Sequence, residues 1–285
     1  MTESANTGAP AAAGESPSSY YVQSLERGLE VIRAFDAEHP SMTLTDVARV
    51  TGLTRATARR FLLTLTDLGY VRTDGKHFEL TARVLRLGYA FVSSHDLPQL
   101  AEPVLEELSG AVGESASASV LDGDQVVYIA RVHTRRIMRV GISVGTRFPA
   151  YATSMGRVLL AFSAEPRGST GGPGGEYDVV ARLSAGGELA ALTQKTITEP
   201  EALRAELARV RDQGWCLVDQ ELERGLSSLA VPVRGPDGTV VAALNVSMSV
   251  GGPGAEASAE ERAVDLLPHL QAAAAQVEEA LALRR

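Results

Sequence analysis

The sequence predicts an α/β protein in two parts: a small helical head closed by a β-ribbon, and a larger domain that mixes strands and helices. Three observations carry this expectation. Between residues 24 and 69, apolar residues recur at spacings of three and four in short blocks interrupted by Pro or Gly, as a set of short helices requires. Asp74-Gly75 then sits between two strand-like stretches, a strong hairpin signal because both central residues tolerate positive φ. From residue 115 onward, Val-rich runs such as "QVVYIARV" alternate with helical patterns such as "TEPEALRAELARVRDQG". A chain of 285 residues suits one large domain or two ordinary ones, and an apolar fraction of 45% is enough to build their cores.

Residues 1–19 are Ala-, Ser-, Gly- and Pro-rich and hold almost no large apolar side chain. They cannot bury enough surface to offset their ordering entropy, so a disordered tail is expected. The head is expected over residues 20–80. Leu25, Leu29, Ile32 and Phe35 define the inward stripe of a first helix, which Pro40 stops. Thr43 and Asp46 form an N-terminal start signal for a second helix, with Val47 and Ala48 facing inward and Gly52 as its left-handed terminator. Thr54 caps a third helix, whose buried stripe is Ala58, Phe61, Leu62 and Leu65. The hairpin about Asp74-Gly75 places Val71 opposite Phe78 and carries Lys76 at its tip. Residues 81–97 read as a connecting helix, and residues 98–285 as the second domain.

In that second domain "SASASVL" and "QVVYIARV" are strands joined at Asp122-Gly123-Asp124, and "IMRVGIS" is a third strand. Thr153 to Phe162 is a helix capped by Thr153 or Ser154. Another helix opens with Pro200 at its first position and ends at Gly214. "SLAVPV" and "TVVAALNVSM" are strands around the turn at residues 235–238, and an Ala- and Leu-rich helix runs from Ser258. "RGSTGGPGGE" reads as a flexible loop.

Composition narrows the function. A single cysteine, Cys216, excludes an internal disulfide framework and a cysteine-rich metal site, and the five histidines show no metal-binding spacing. No cofactor or metal is expected. No apolar run spans a bilayer and no secretion signal opens the chain, so a cytoplasmic protein is expected. The net charge is -8, yet from Arg49 to Arg60 every charged residue is an arginine. Local field, not total charge, decides whether a polyanion binds.

Three helices followed by a two-stranded ribbon is the winged helix-turn-helix plan, in which the third helix enters the major groove of DNA. A solvated helix face is the ordinary explanation of a charge run. Here the run coincides with a capped preceding helix, a glycine turn and a wing. Arg55, Arg59 and Arg60 are suited to phosphates and guanine edges, Thr54 and Thr57 to phosphate oxygens, and Lys76 to the backbone beside the wing.

Residues 20–92, including "LTRATARRFLLTL", resemble the DNA-binding domain of the IclR family of bacterial transcriptional regulators. "RFPAYATSMGRVLLA" (147–161), "GWCLVDQELERGLSSLAVPV" (214–233) and "ALNVS" (243–247) resemble that family's effector domain. "LTRATARRFLLTL" and "PAYATSMGRVLLA" more narrowly resemble the branch that controls protocatechuate and 4-hydroxybenzoate breakdown through the β-ketoadipate pathway. The glycine-rich stretch at 168–175 departs from the pattern, since relatives carry a shorter polar segment and helix there. The resemblance implies a GAF-like second domain, an antiparallel sheet with helices, that binds a small carboxylic or aromatic acid. It implies a polar wall of Ser227, Ser228, Asn245 and Ser247 with Asp219 at the rim, and homodimers or homotetramers on double-stranded operator DNA.

The residues fit that implication on their own chemistry. Thr153, Ser154, Met155 and Gly156 open a helix whose amide groups and dipole suit an anion, and Gly156 allows close backbone approach to a ligand. Phe148, Tyr151 and Met155 offer an apolar flank for a ring. An ordinary helix cap also explains Thr153, and ordinary strand positions explain Asn245 and Ser247. Asp219, Glu221 and Glu223 lack a histidine cluster and read as loop-ordering carboxylates, His133 as a surface residue at a strand end, and Cys216 as a packed hydrophobe. The expectation is therefore a ligand-responsive transcription factor and not an enzyme. An enzyme acting on a small acid is the alternative, and a DNA-binding module deaf to any ligand a third reading.

Overall fold

The computed structural model describes residues 21–36, 38–87, 97–134, 142–163, 178–185, 187–250 and 258–283. The chain divides into two compact units, residues 1–93 and 94–285.

The first unit contains α1 (Gln23–Arg33), β1 (Met42–Thr43), α2 (Leu44–Val50), α3 (Arg55–Asp67), β2 (Val71–Thr73) and β3 (His77–Leu80). The start of α2 is a capping box: the Asp46 amide donates to Thr43 Oγ1 at 3.3 Å, and the Thr43 amide donates back to Asp46 Oδ2 at 3.1 Å. Gly52 has φ +66°, the left-handed turn expected between α2 and α3. Ala58, Leu62 and Leu65 are buried and Phe61 half-buried, so the predicted stripe of α3 holds. They pack with Val31, Phe35, Met42, Val47, Val71 and Phe78 into one core.

Two head expectations need correction. Leu25 and Leu29 are 64% and 47% exposed. The core is met by Val31 and Ile32 at the C-terminal end of α1 and by Ala34 and Phe35 just beyond it, so the first two turns carry their apolar residues outside it. In the wing, Val71 pairs with Leu80 and Thr73 with Phe78, a register two residues from the expected one. Asp74 Oδ1 accepts from the amides of both Lys76 and His77, at 2.8 and 2.7 Å, and so draws two further residues into the loop. An even slip keeps each side chain on its face, which is why Val71 and Phe78 are still buried. The β1 strand adds to the ribbon, giving the sheet order β1-β3-β2.

A 3₁₀ turn follows at Ala82–Val84, and residues 85–87 are helical. The rest of the expected connecting helix lies outside the described residues, as do most of "IMRVGIS", the stretch 168–175 and the tail.

The second unit comprises α4 (Leu97–Val112), β4 (Ser115–Asp122), β5 (Gln125–Val132), β6 (Arg147–Pro149), α5 (Ser154–Ala161), α6 (Val179–Ser184), α7 (Pro200–Gln213), β7 (Cys216–Asp219), β8 (Leu226–Arg234), β9 (Val240–Ser249) and α8 (Ala259–Ala282). The sheet has the order β6-β5-β4-β9-β8-β7 and is antiparallel throughout. The predicted turn at Gly123, the Pro200 start and the left-handed Gly214 end of α7, and the helix from Ser258 are all present, the last with Ser258 as its cap. Helices α4 and α8, β6 and β7 complete what sequence pattern had only partly shown. One face of the sheet packs under α4 and α8 through Ala116, Leu244, Val246 and Leu270. The other packs under α5 and α7 through Tyr128, Met155, Ala230 and Ala243.

Candidate DNA interface and ligand site

Helix α3 begins at a cap: the Thr57 amide donates to Thr54 Oγ1 at 3.2 Å, and the two hydroxyls lie 2.9 Å apart. Capping fixes where the first turn starts, and with it the direction of every side chain in that turn. Arg55, Arg59 and Arg60 are all exposed. Among the described residues none of the three makes an ion pair, although Arg49, Arg72, Arg204 and Arg209 each pair with a carboxylate. Lys76 is exposed at the wing tip, where Arg72 is tied to Glu79 at 2.6 Å. The surface thus offers unpaired guanidinium groups on the helix that the fold presents outward, a footprint suited to a polyanion.

The second constellation lies on the sheet face covered by α5. Strand register sets it. Ser115 stands opposite Ser247, Ser117 opposite Asn245, and Ser228 opposite Ser247. Directly paired residues share a face, so β4, β9 and β8 together present Ser115, Ser117, Ser119, Asn245, Ser247 and Ser228 to the same side. Ser154, the first residue of α5, closes on this row: its Oγ lies 2.7 Å from Ser228 Oγ. The Asn245 amide Nδ2 donates to Ser247 Oγ at 3.2 Å. Two buried side-chain atoms among the described residues have no hydrogen-bond partner, Asn245 Oδ1 and Ser119 Oγ. Leaving such an atom unpaired costs about 1–3 kcal/mol, so two of them on one face need a reason.

Every residue of α5 is buried, as a helix wedged between a sheet and α7 must be. Thr153 caps it, accepting from the Gly156 amide at 3.1 Å. Met155, Tyr151 and Phe148 belong to the apolar cluster around Tyr128, and the Tyr128 and Phe148 rings meet edge to face at 5.9 Å. Burial pushes the Tyr128 hydroxyl up to about 12, so it stays protonated as a donor. The site therefore combines a helix start, a polar row and an aromatic wall.

Family models match both units: the IclR helix-turn-helix domain over residues 24–75, and the bacterial transcriptional regulator IclR C-terminal domain over residues 89–279. The chain belongs to the IclR family. The Pca regulon regulatory protein of Pseudomonas putida is 44% identical over 233 residues, covering 81% of this chain and 76% of that protein. The p-hydroxybenzoate hydroxylase transcriptional activator of Acinetobacter baylyi is 36% identical over 230 residues, 79% of this chain and 80% of its own. Among solved structures, a transcriptional regulator from Rhodococcus sp. RHA1 superposes with a TM-score of 0.75 at 50% identity, covering 93% of this chain and all of the other. An IclR homolog of Microbacterium hydrocarbonoxydans complexed with 4-hydroxybenzoate superposes with a TM-score of 0.75 at 25% identity, over 90% of this chain and 98% of the other.

Within this IclR-family protein, not every expected ligand residue reaches the polar row. Ser227 stands opposite Met248, one step out of phase with Ser228, so its side chain is on the other face of the sheet. Asp219 pairs with Ser227 and accepts from its Oγ at 2.5 Å. Desolvation alone would raise the Asp219 carboxyl, but hydrogen bonds from Lys195, Ser227 and Gln220 hold it below its ordinary value. Ser227 bonds Asp219, and Asp219 in turn bonds Lys195, near the sheet edge and not on the row of Ser154 and Asn245. Gly156 has a different reason from the expected one. A Cβ there would lie 2.1 Å from the Ala150 carbonyl oxygen, so the glycine makes room for the protein's own turn at Ala150–Ala152, not for a ligand.

Glu221 does order its loop. It takes both ends of the buried Arg157 guanidinium, at 2.7 and 2.5 Å, and accepts from the Ile197 amide at 2.8 Å. Burial pushes the Cys216 thiol up to about 12, which suits a packed side chain and not a nucleophile. His133 is exposed just beyond β5. The residues of the polar row that sequence reasoning passed over are Ser115, Ser117 and Ser119. The signal was present in "SASASVL": hydroxyls at every second position line one face of a strand.

Proposed function

We propose that this IclR-family DNA-binding transcriptional regulator responds to a small aromatic acid of the β-ketoadipate route, acting in the cytoplasm as a dimer or tetramer on paired half-sites. The observation that carries the effector reading is the pair of buried, unpartnered oxygens, Asn245 Oδ1 and Ser119 Oγ, on the polar row that Ser154 closes. A polar ligand bonding to them removes their cost, and the aromatic cluster beside them suits a ring. The names of the regulators from Pseudomonas putida and Acinetobacter baylyi support the same class of effector. Thr153, Ser154, Met155, Ser228, Asn245 and Ser247 are the ligand-side residues of this reading. Thr54, Arg55, Thr57, Arg59, Arg60 and Lys76 are its DNA-side residues. Self-association is supported by the apolar strip of Tyr21, Val22, Leu25 and Leu29, which the described residues leave exposed.

The effector can switch the protein only by binding one arrangement of the chain better than another. The test is a thermal-shift screen of aromatic and aliphatic acids on the purified protein, followed by recovery of the ligand and a gel shift on duplexes selected from a random pool. A concentration-dependent stabilisation by an aromatic acid, with the ligand recovered unchanged and the DNA complex altered, is expected. Conversion of the acid would sink the sensor reading in favour of an enzyme.

A further inference from the structure

The wing holds an arginine of a different kind from those of α3. Arg72 on β2 stands opposite Glu79 on β3, and Ser41 leads directly into β1, which pairs with the other edge of β3. Arg72 Nε and Nη2 both donate to Glu79 Oε2, at 2.9 and 2.6 Å. Hydrogen bonds from Arg72 and Ser41 hold the Glu79 carboxyl below its ordinary value, so it is ionised at neutral pH. Ser41, Glu79 and Arg72 thus form a chain across the outer face of the ribbon, the face away from Met42, Phe78 and Val71 in the core. A guanidinium presents one fork of N–H groups through Nε and Nη2 and a second through Nη1 and Nη2. Glu79 fills the first. Among the described residues Nη1 has no partner, and the Arg72 side chain is 73% exposed. An exposed ion pair adds little to stability. Its effect here is to fix the direction of a long side chain that would otherwise sample many rotamers.

We propose that Arg72 reads A·T base pairs in the minor groove beside the segment that α3 contacts, and that Glu79 is its positioning residue. This assignment rests on the reading of α3 as the helix in the major groove. A helix with its side chains is about 10–12 Å across and fills a groove about 12 Å wide. The wing leaves α3 after a short turn at residues 68–70 and runs roughly 10 Å from Val71 to Asp74, so it meets the duplex beside that groove and not within it. In the minor groove an A·T pair shows only acceptors, adenine N3 and thymine O2, whereas a G·C pair adds an amino donor that a guanidinium cannot use. A narrow A·T-rich minor groove also concentrates negative potential. Arginine suits it better than lysine because a guanidinium is more weakly hydrated than an ammonium. Glu79 lowers the positive charge offered to the phosphates, which weakens binding to any duplex. It also orders the free fork in advance, so less side-chain freedom is lost when the right bases are met. The pair therefore lowers affinity for DNA in general and raises selectivity.

The experiment is a gel-shift titration of the full chain on a duplex selected from a random pool, its central bases kept and its flanking pairs rebuilt as A·T, G·C or inosine·cytosine. Inosine lacks the guanine amino group, so its pair with cytosine shows only acceptors in the minor groove, as A·T does. The wild type is expected to bind the A·T and inosine·cytosine flanks about 10-fold more tightly than the G·C flank. Arg72→Ala and Arg72→Lys are expected to bind all three flanks within about 2-fold of one another. Glu79→Gln is expected to bind the G·C flank more tightly than the wild type does, while its preference for A·T falls to about 3-fold or less. A pair that only braced the ribbon would leave that preference unmoved. Both residues lie outside the head core, so the variants are expected to keep their fold. Equal wild-type affinity for the three flanks, an inosine·cytosine flank that behaves as G·C, or a uniform loss on every flank in Arg72→Ala overturns the minor-groove assignment, the last by making Arg72 a phosphate clamp. Undiminished A·T preference in Glu79→Gln overturns the positioning role. Unchanged affinity of the Arg55→Ala, Arg59→Ala double variant for the A·T duplex removes the α3 reading itself and this assignment with it, a result distinct from the others.

Discussion

Helices α3 and α5 start in the same way and use arginine in opposite ways. Each opens behind a threonine whose hydroxyl takes the amide three residues on, Thr54 from Thr57 and Thr153 from Gly156. In α3 the arginines are exposed and unpaired among the described residues. In α5 the one arginine, Arg157, is 1% exposed and held by Glu221, with its Nε donating to the Tyr151 carbonyl at 2.8 Å. A guanidinium in water costs the fold little, and is available to whatever anion arrives. A guanidinium out of water must be matched by the fold itself, because an unpaired buried charge costs several kcal/mol. The difference separates display from construction: α3 leaves its guanidinium groups in solvent, and α5 uses its one to fasten the β7–β8 turn through Glu221.

That contrast breaks most visibly at the buried pair. Arg157→Met is expected to destabilise the protein by about 3–5 kcal/mol in urea titrations, because Glu221 is left buried without its counter-charge. The double variant Arg157→Met, Glu221→Met is expected to regain much of that loss. A single variant within 1 kcal/mol of wild type, by the same scale, ends the claim that Arg157 belongs to the fold. Gly156→Ala follows, with an expected cost of about 1–3 kcal/mol or more from overpacking against the Ala150 backbone, read by the same titration.

The surface arginines sharpen the contrast from the other side. The Arg55→Ala, Arg59→Ala double variant is expected to unfold within about 0.5 kcal/mol of wild type, since neither side chain supports the core. Its affinity for selected duplexes should fall, and the slope of log affinity against log salt should become shallower by about 2 if both contact phosphates. Unchanged DNA affinity in a gel-shift titration removes α3 as the reading helix. The caps differ more modestly: Thr54→Ala should cost about 1 kcal/mol and the buried Thr153→Ala up to about 2, by thermal or chemical unfolding.

The smallest effect is expected at the wing and depends on pH. The His77 and Lys76 amides hold the Asp74 carboxyl at about 2, below its ordinary 3.8. A depressed native value means that this contribution to the turn is complete above pH 3.8 and is lost as pH falls through 2. Asp74→Asn should therefore lessen the acid sensitivity of the wing amides in hydrogen exchange between those values, and an unaltered profile would show that the turn does not depend on the carboxylate.

Much of this protein was readable as local chemistry. Thr43, Thr54 and Thr153 announce helix starts because a cap is satisfied within four residues, and Gly52 and Gly214 announce ends because few other residues adopt positive φ. The exposure of the α3 arginines was readable for the same reason: which side of a short capped helix faces solvent follows from its period. What tertiary structure alone decided is where non-neighbours meet. It put Leu25 and Leu29 outside the head core, turned Asp219 and Ser227 to the far face of the sheet, gave Gly156 to the Ala150 turn, and aligned Arg131, Ser117 and Asn245 across strands drawn from distant parts of the chain. Register does this, and register is a long-range quantity: a strand's own residues say which side chains share a face, but only pairing with its neighbours says what that face will hold.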